Sequence, residues 1–306
     1  MQRRDFLKAA AVAPGIAAAS GTLPKRPYRD GVQLSIIGFG GIVVIGMEQK
    51  EAGRIVAESV DRGVNYFDVA PSYGDGEAET KLGEALRPHR SRVFLACKTT
   101  KRDAEGARAE LERSLQRLHT DHLDLYQFHA VTTPKDVEEI FGPRGAAETF
   151  ARARQQGKVR YLGCSAHSEE AAIAMLDRLA LDSILFPINF VCFSQANFGP
   201  KVIAHAREKG AARLALKSLA HTPYARGADR SRHPKAWYEP IEDRELAAKA
   251  LRFTLSEDIT AAIPPGDETI YRMALDLAAG FKPLTGKERD ELLASAKGTK
   301  PLFPLS

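Results

Sequence analysis

The stretch Ile184-Leu185-Phe186-Pro187-Ile188 decides the fold class, because it carries apolar side chains at every position rather than at alternate ones. A strand with this pattern is buried on both faces, which is typical of a parallel sheet covered by helices. On either side of it, further short apolar runs alternate with longer amphipathic segments. The predicted strands cover Ile36–Gly41, Asn65–Ala70, Val93–Thr99, Leu123–His129, Val159–Ser165, Ser183–Asn189, Arg213–Ser218 and Ile259–Pro264.

The segments that separate these strands are predicted to be helices. In residues 103–118, apolar residues recur at a spacing of three and four, which places them on one helical face, and Asp103 suits the N-cap position. The predicted helices cover 48–62, 77–88, 103–118, 135–156, 168–180, 199–209, 243–255 and 268–280, with an extra helix at 286–297. Eight such units predict the α/β class, as a single-domain (β/α)8 TIM barrel with one extra C-terminal helix.

The composition excludes several classes of protein. The 306 residues are 44% hydrophobic and 27% charged, which is the balance of a globular chain and excludes disordered, collagenous and coiled-coil proteins. No apolar run reaches the ~18–20 residues of a membrane span. The net charge of +5 is spread without a basic block, so no nucleic-acid partner is expected. Cys97, Cys164 and Cys192 have no ligand spacing, so neither a metal nor a disulfide is predicted.

The N-terminus carries the features of an export signal. Arg3 and Arg4 precede Phe6-Leu7-Lys8, and an alanine-rich stretch from Ala9 to Ala19 follows. A charged segment, a weakly apolar segment and small residues in this order indicate a secretory signal, and the arginine pair resembles the twin-arginine type. We therefore expect a signal peptide at 1–19, a barrel domain at 28–306, the twin-arginine export machinery as a partner, and a periplasmic location. An unused signal would leave the protein cytoplasmic.

Polar side chains end three neighbouring strands of the predicted barrel. Asp68, Lys98 and His129 each follow an apolar run, where an unpaired charge would be costly, so we expect them to meet. The nearby Tyr73 has a phenol whose ordinary pKa is about 10, and an adjacent ammonium is expected to lower that pKa. Such a tyrosine can protonate a carbonyl oxygen while His129 orients the carbonyl. The missing hydride must come from a nicotinamide cofactor.

These residues resemble the signature of the aldo-keto reductases. The resemblance rests on the stretch Gly63-Val64-Asn65-Tyr66-Phe67-Asp68-Val69-Ala70-Pro71-Ser72-Tyr73-Gly74, followed by Leu82-Gly83-Glu84-Ala85-Leu86. Lys98 and His129 stand at the expected later positions, and residues 157–165 resemble the fifth strand of the family. The resemblance extends over about residues 28–282. It implies a barrel that binds NADP(H) across its C-terminal face and reduces aldehydes and ketones, here a small carbonyl substrate, to alcohols.

The resemblance also implies roles for individual residues. Tyr73 is expected to be the general acid, Lys98 and Asp68 the groups that tune its pKa, and His129 the donor that orients the substrate. At the cofactor, Ser165 is expected to bind the carboxamide, Gly266 to open the phosphate-binding loop, and Arg272 to approach the adenine or the 2′-phosphate. Lys217 and Ser218 are expected along the pyrophosphate, and Gly41 and Ile42 near the nicotinamide.

Several positions depart from the family pattern. Ala166 replaces an asparagine and Leu185 a glutamine that usually hold the carboxamide. The last-helix positions of Asp267, Glu268 and Asp276 often carry basic residues or asparagine in the family. A carboxylate repels a phosphate but can bind a free ribose hydroxyl, so NADH remains open as the cofactor. The family resemblance and Arg272 nevertheless make NADPH the expected one.

Other assignments are left open by the sequence. Trp237 and Tyr238 lie in a long loop from His221 to Asp243, where they either clamp a substrate or pack the loop down. His167 is expected to cap the following helix, and His119 and His122 to lie on the surface away from the site. Two functional alternatives remain, namely a barrel that binds a nicotinamide cofactor or small ligand without turnover, and an enzyme that retains its cofactor between two substrates.

Overall fold

Twelve strands are present in the part of the chain that the computed structural model describes, residues 22–303. The predicted signal at 1–19 lies outside these residues. The strands are β1 (Lys25–Pro27), β2 (Gln33–Ser35), β3 (Phe39–Gly40), β4 (Tyr66–Asp68), β5 (Phe94–Thr99), β6 (Leu123–Val131), β7 (Val159–Ala166), β8 (Ser183–Pro187), β9 (Ala212–Leu216), β10 (Ala220–Pro223), β11 (Tyr238–Pro240) and β12 (Ala261–Ile263).

Eight of these strands form one parallel sheet. Neighbours follow chain order, from β3 through β9 to β12. The ring is completed next to β3, where Ile37 bridges Ala262 in parallel and the Gly38 amide donates to the Ala262 carbonyl at 2.9 Å. The predicted eight strands and the (β/α)8 barrel are therefore confirmed.

Eleven α-helices surround the barrel or follow it within residues 22–303. They are α1 (Gln49–Asp61), α2 (Glu77–Leu86), α3 (Ala104–Arg117), α4 (Pro134–Phe141), α5 (Ala146–Gln155), α6 (Glu169–Arg178), α7 (Phe190–Ala196), α8 (Pro200–Glu208), α9 (Arg244–Ser256), α10 (Glu268–Ala279) and α11 (Gly286–Ser295). The predicted extra C-terminal helix is α11. None of the described helices is long and apolar enough to cross a membrane.

One helical prediction was wrong and one helix was missed. The single helix predicted at 135–156 is the pair α4 and α5, because Gly142 is extended and Pro143 after it cannot continue a helical hydrogen-bond ladder. The short helix α7 was not predicted. It begins because the Asn189 side chain accepts a hydrogen bond from the Cys192 amide at 2.8 Å, within a segment whose apolar pattern also fits a strand.

The N-terminal hairpin closes one end of the barrel. Between β1 and β2, the Tyr28 ring packs edge-on against Phe94 at 5.0 Å and Tyr161 at 5.3 Å. Its hydroxyl donates to Ser183 Oγ at 3.0 Å, so the polar end of this buried side chain is satisfied. The opposite end, where the strands finish, is the end at which a barrel of this kind carries its site.

Candidate active site

A buried ion pair joins the ends of two adjacent strands. Lys98 in β5 and Asp68 in β4 are both nearly inaccessible, and the Lys98 ammonium contacts the Asp68 carboxylate. The ammonium also donates to the Val69 carbonyl at 3.2 Å. Burial disfavours the charged form of Lys98, but the carboxylate beside it prevails and raises the pKa of Lys98 above its ordinary value. The structure thus brings together the two charges whose pairing the sequence indicated.

Two further side chains bind the same carboxylate. Gln127 Nε2 donates to Asp68 Oδ2 at 2.9 Å, and the Tyr66 hydroxyl donates to the same oxygen at 3.2 Å. Sequence reasoning missed both residues. A signal was present, because Tyr66 lies two positions before Asp68 and Gln127 two before His129, and strand residues two apart share a face.

Tyr73 lies within reach of this pair. It follows β4 in a tight turn, where its amide donates to the Ala70 carbonyl at 3.0 Å, and its hydroxyl oxygen is 3.4 Å from Lys98 Nζ. The net lowering of its pKa that the sequence indicated is not found. Burial raises the pKa of Tyr73 more than the Lys98 ammonium lowers it, and the Asp68 charge adds to the rise. The phenol therefore holds its proton at neutral pH, as a general acid must.

His129 completes the group expected from the sequence. Its ring lies edge-on to the Tyr73 ring, with centroids 5.7 Å apart. Burial, together with the positive charges of Lys98, Arg102 and Lys217 and the neighbouring His167, lowers the pKa of His129 well below its ordinary value. The imidazole is therefore neutral and carries one N–H donor.

Arg102 holds the strand end that carries His129. Its Nη2 donates to the carbonyls of His129 at 3.0 Å and Ala130 at 3.1 Å, while its Nε pairs with Asp136 at 2.9 Å. Ala130 has φ of 52°, in the left-handed region that alanine rarely adopts, and the register with β7 shifts between Phe128 and Val131. Sequence reasoning missed Arg102, whose partners are backbone carbonyls of a distant turn and the side chain of Asp136.

A small cavity of about 70 Å³ connects the reacting groups with the loop before α10. Gly266 closes this end of it. A Cβ on Gly266 would lie 2.3 Å from Ile42 Cγ2, so only glycine fits against this side chain. Gly41 and Ile42 belong to a 3₁₀ turn after β3. The lining residues are Gly40, Ile42, Asp68, Tyr73, Leu185, Leu216, Lys217, Tyr238, Ile263, Pro264, Pro265 and Gly266.

Two buried hydroxyls stand at the carboxyl ends of the strands. Ser165 in β7 pairs in register with Leu185 of β8, and Ala166 beside it is buried and apolar. The Ser218 hydroxyl, after β9, is buried without a hydrogen-bond partner in the described part of the chain. Such an orphaned hydroxyl fits a ligand that carries amide or phosphate groups.

At the predicted adenine end, Arg272 is already paired. Its guanidinium contacts the Glu58 carboxylate and donates from Nε to Glu268 Oε1 at 3.0 Å. Asp267 caps α10 by accepting from the Ile270 amide at 3.0 Å. Asp276 pairs with Arg62 at 2.8 Å. A 2′-phosphate would therefore meet a cation that is shared with two carboxylates.

The segment from His221 to Asp243, predicted as a long loop, contains most of strand β10 and all of its partner β11, and the stretch between them lies at this end of the barrel. His233 binds Asp267 at 3.1 Å through Nδ1 and Glu242 at 2.6 Å through Nε2. Lys235 Nζ donates to the Val43 carbonyl at 2.7 Å, which ties the loop to the turn after β3. Lys235 was missed by sequence reasoning, because a loop cation shows no periodicity that would place it.

An aromatic wall flanks the cavity mouth. Trp237 is 49% exposed and lies edge-on to the buried Tyr238 and to Phe303, with centroids 5.2 and 6.0 Å apart. The ring of His167 stacks on Phe303 at 5.6 Å. The expectation that His167 caps the following helix was wrong, because the neighbouring Ser168 hydroxyl accepts from the Ala171 amide and caps α6.

The remaining histidines and cysteines lie outside this site. His119 and His122 are on the turn before β6, at the amino end of the strands and partly or largely exposed, as expected. Cys97, Cys164 and Cys192 are buried free thiols, and burial raises the pKa of each. Within residues 22–303, no three His, Cys, Asp or Glu side chains cluster closely enough to hold a metal ion.

Comparison with known proteins gives one consistent answer. The model of the "Aldo/keto reductase family" matches residues 37–263. The chain is 25% identical over 294 residues to the uncharacterized oxidoreductase YqkF of Bacillus subtilis (strain 168), covering 87% of this chain and 94% of that protein.

Solved structures share the fold. Aldo-keto reductase AKR11C1 from Bacillus halodurans, in its holo form, superimposes with a TM-score of 0.70 at 23% identity, covering 92% of this chain and 98% of that one. An aldo-keto reductase from Klebsiella pneumoniae in complex with NADPH gives 0.66 at 20% identity, with 90% and 95% covered. Because the family match spans most of the chain, the protein belongs to the aldo/keto reductase family of oxidoreductases, which act on carbonyl and alcohol groups.

Proposed function

We propose that the protein reduces aldehydes or ketones to alcohols with NADPH, and that Tyr73 supplies the proton. The observation that carries this proposal is the contact of the Tyr73 hydroxyl with Lys98, whose charge is balanced by Asp68. A protonated phenol beside a buried ammonium can release its proton to an oxygen that gains negative charge, because the ammonium then stabilises the phenolate.

Each residue of the group has a defined task. Tyr73 donates the proton to the carbonyl oxygen, and Lys98 stabilises the phenolate that remains. Asp68, held by Gln127 and Tyr66, keeps Lys98 charged and in place. His129 is neutral, so its N–H can orient the carbonyl without competing for the proton. A bound nicotinamide cofactor supplies the hydride.

The residues that we expect to bind the cofactor lie at the same end of the barrel. Ser165 and Ser218 present hydroxyls, and Gly266 lets the loop before α10 pack closely against Ile42. Two cations, Lys235 and Arg272, lie near the carboxylates at the start of α10. The Klebsiella pneumoniae neighbour was solved with NADPH. Glu58 and Glu268 partly neutralise the charge of Arg272 and so weaken its attraction for a 2′-phosphate. We therefore expect NADPH to be preferred over NADH by only a small factor.

The test is Tyr73→Phe, assayed with NADPH and a series of aldehydes. We expect turnover to fall by about 10² to 10⁴, which is the usual contribution of general acid catalysis, while the Kd for NADPH stays within a few fold. Tyr161→Phe is the matched control, because it removes a buried hydroxyl that has no hydrogen-bond partner in the described chain, at the closed end of the barrel. Full turnover by Tyr73→Phe would refute the proposal.

One observation favours a second candidate, a barrel that binds its ligand without turnover. Ala166 and Leu185 are buried apolar residues where the family usually holds the nicotinamide amide, so Ser165 alone is left for it. NADPH that binds tightly without turnover of any carbonyl compound would support this candidate. Cofactor released only on denaturation would indicate an enzyme that retains it.

We further propose that the protein is exported by the twin-arginine pathway to the periplasm. The support is the sequence of the first 19 residues, with Arg3 and Arg4 before Phe6-Leu7. Fractionation of a bacterial host that expresses the full chain tests this. Arg3→Lys combined with Arg4→Lys should leave the protein in the cytoplasm, whereas an unchanged distribution would contradict the proposal.

A further inference from the structure

One positive charge at the open end of the barrel lacks an anionic partner among the residues that the structure describes. Lys217 follows β9, with φ of 68°, and its ammonium makes no hydrogen bond or ion pair within residues 22–303. Nζ instead lies 4.8 Å from the centre of the Tyr238 ring and 5.1 Å from that of Trp237. Burial lowers the pKa of Lys217 to about 8, with no carboxylate close enough to oppose it. A desolvated cation of this kind gains from an anion that enters the site.

The other charges around the reacting groups cancel. Lys98 is paired with Asp68, so this buried pair adds no net charge. His129 and His167 both have a lowered pKa, the latter about 4, and are neutral. Lys217 therefore leaves the reaction centre with one uncompensated positive charge.

This charge lies beside the reacting groups. Lys217 lines the same small cavity as Asp68 and Tyr73, and its charge contributes to the lowered pKa of both His129 and His167. Gly266, in the loop before α10, lines this cavity too, and Lys235 is tied to the Val43 carbonyl in the turn after β3.

The wall next to Lys217 carries no carboxylate of its own. Phe303 stacks between His167 and Phe198, at 5.6 and 5.2 Å, and Trp237 closes the row at 6.0 Å. These rings are uncharged, so a substrate anion here meets Lys217 and no opposing charge. In such an apolar setting an ion pair is stronger than in water.

We propose that Lys217 binds an anionic group of the substrate, so that the protein acts on carbonyl compounds that carry a carboxylate. The substrate carbonyl lies between Tyr73 and His129, and its carboxylate meets the Lys217 ammonium. This inference rests on the proposed reductase function and names its substrate class. The same cation could instead meet a cofactor phosphate, which offers the same anionic oxygens, and the experiment separates the two sources.

The kinetic test compares 4-oxobutanoate with its methyl ester, which differ in charge at the same chain length. For the wild type we expect kcat/KM to be at least about tenfold higher for the acid. Lys217→Met should lower this acid-to-ester ratio by about tenfold, and Lys217→Arg should retain part of it. Lys201→Met is the matched control, because Lys201 is exposed on α8, and it should leave the ratio unchanged. An unchanged ratio in Lys217→Met would overturn the inference.

A binding test keeps the inference separate from the reductase function. Trp237 is the single tryptophan of the chain and faces Lys217, so its fluorescence reports on this position. Butanoate, which has no aldehyde or ketone group to reduce, should change this fluorescence saturably in the wild type and bind about tenfold more weakly to Lys217→Met. Methyl butanoate is the neutral control.

Three outcomes of these two tests are informative. Butanoate binding by a protein that turns over no carbonyl compound would support the anion site and refute the proposed function. No butanoate binding together with turnover of neutral aldehydes would refute the anion site alone. A rise in the Kd for NADPH with no change in the acid-to-ester ratio would assign Lys217 to a cofactor phosphate.

Discussion

Gln127 donates to Asp68 Oδ2 at 2.9 Å, while Lys98 contacts the other oxygen of the same carboxylate. The carboxylate is nearly inaccessible, so these side chains and Tyr66 replace the water that it would otherwise bind. The position of the ammonium next to Tyr73 thus depends on a glutamine that need not touch the substrate.

Replacing Gln127 with leucine should destabilise the protein and slow its reaction. Asp68 would lose a hydrogen bond to a charged group, which costs about 1.5–3 kcal/mol in the free energy of unfolding. We expect kcat to fall by about tenfold with little change in KM, because the ammonium loses its fixed position. Urea denaturation and steady-state kinetics measure the two effects. Gln155→Leu, at an exposed position on α5, is the control, and equal stability of the two variants would contradict the role of Gln127.

Arg102 is expected to act on His129 through the backbone and through charge. In Arg102→Gln the guanidinium charge near the imidazole is lost, and because that charge lowers the pKa of His129, the pKa should rise. An NMR titration of the His129 ring checks this. kcat should also fall, because the left-handed turn at Ala130 loses its two donors. If Arg102 had only a structural role, the variant would be less stable but the pKa of His129 would be unchanged.

We expect a larger residue at position 266 to preserve cofactor binding only if Ile42 is also made smaller. In Gly266→Ala the new Cβ would lie 2.3 Å from Ile42 Cγ2, so the loop or the side chain must move. We expect the Kd for NADPH to rise by about tenfold or more. Adding Ile42→Gly removes both Ile42 side-chain atoms that the new Cβ would meet, Cγ2 at 2.3 Å and Cβ at 2.5 Å, and should restore much of the binding. Titration of each variant with NADPH measures this, and failure of the double variant to recover would indicate that the backbone conformation of glycine matters instead.

Lys217 should make the stability of the protein depend on pH between about pH 8, its pKa in the folded state, and about 10.4, its pKa in the unfolded state. Its folded pKa is lowered, so the folded state disfavours the charged form; stability is reduced below pH 8 and rises as the pH passes through this window. Lys217→Met should therefore be more stable than the wild type at pH 7, by about 3 kcal/mol, and the difference should shrink above pH 10. Denaturation at several pH values tests this.

The same titration should appear in the kinetics. Turnover of 4-oxobutanoate should fall above pH 8 as Lys217 loses its proton, while that of the methyl ester falls less. The groups that face Lys217 do not titrate in this range, because His129 and His167 are neutral and the pKa of Tyr73 and of Tyr238 is raised above 10. Parallel profiles for the acid and the ester would contradict the assignment.

Much of the fold could be read from local pattern. Strand β8 is apolar from Ile184 to Pro187 because both its faces are buried. The helices α3 and α6 begin where Asp103 and Ser168 cap them, as their local sequence indicates. The split of α4 from α5 was missed although Gly142 and Pro143 signal it. α7 was missed because a short apolar run fits helix and strand alike.

For the site, the sequence by itself determined which residue types end the strands: Asp68, Lys98 and His129, with Tyr73 in the turn that follows. Only the tertiary structure decided the direction of the Tyr73 pKa, the pairing of Arg272 with Glu58, and the isolation of Lys217. The physical reason is that burial and charge balance depend on side chains far apart in the chain. Glu58 and Arg272 are 214 positions apart, and no local spacing shows that they meet. Nor does any local spacing show that no carboxylate of residues 22–303 reaches Lys217.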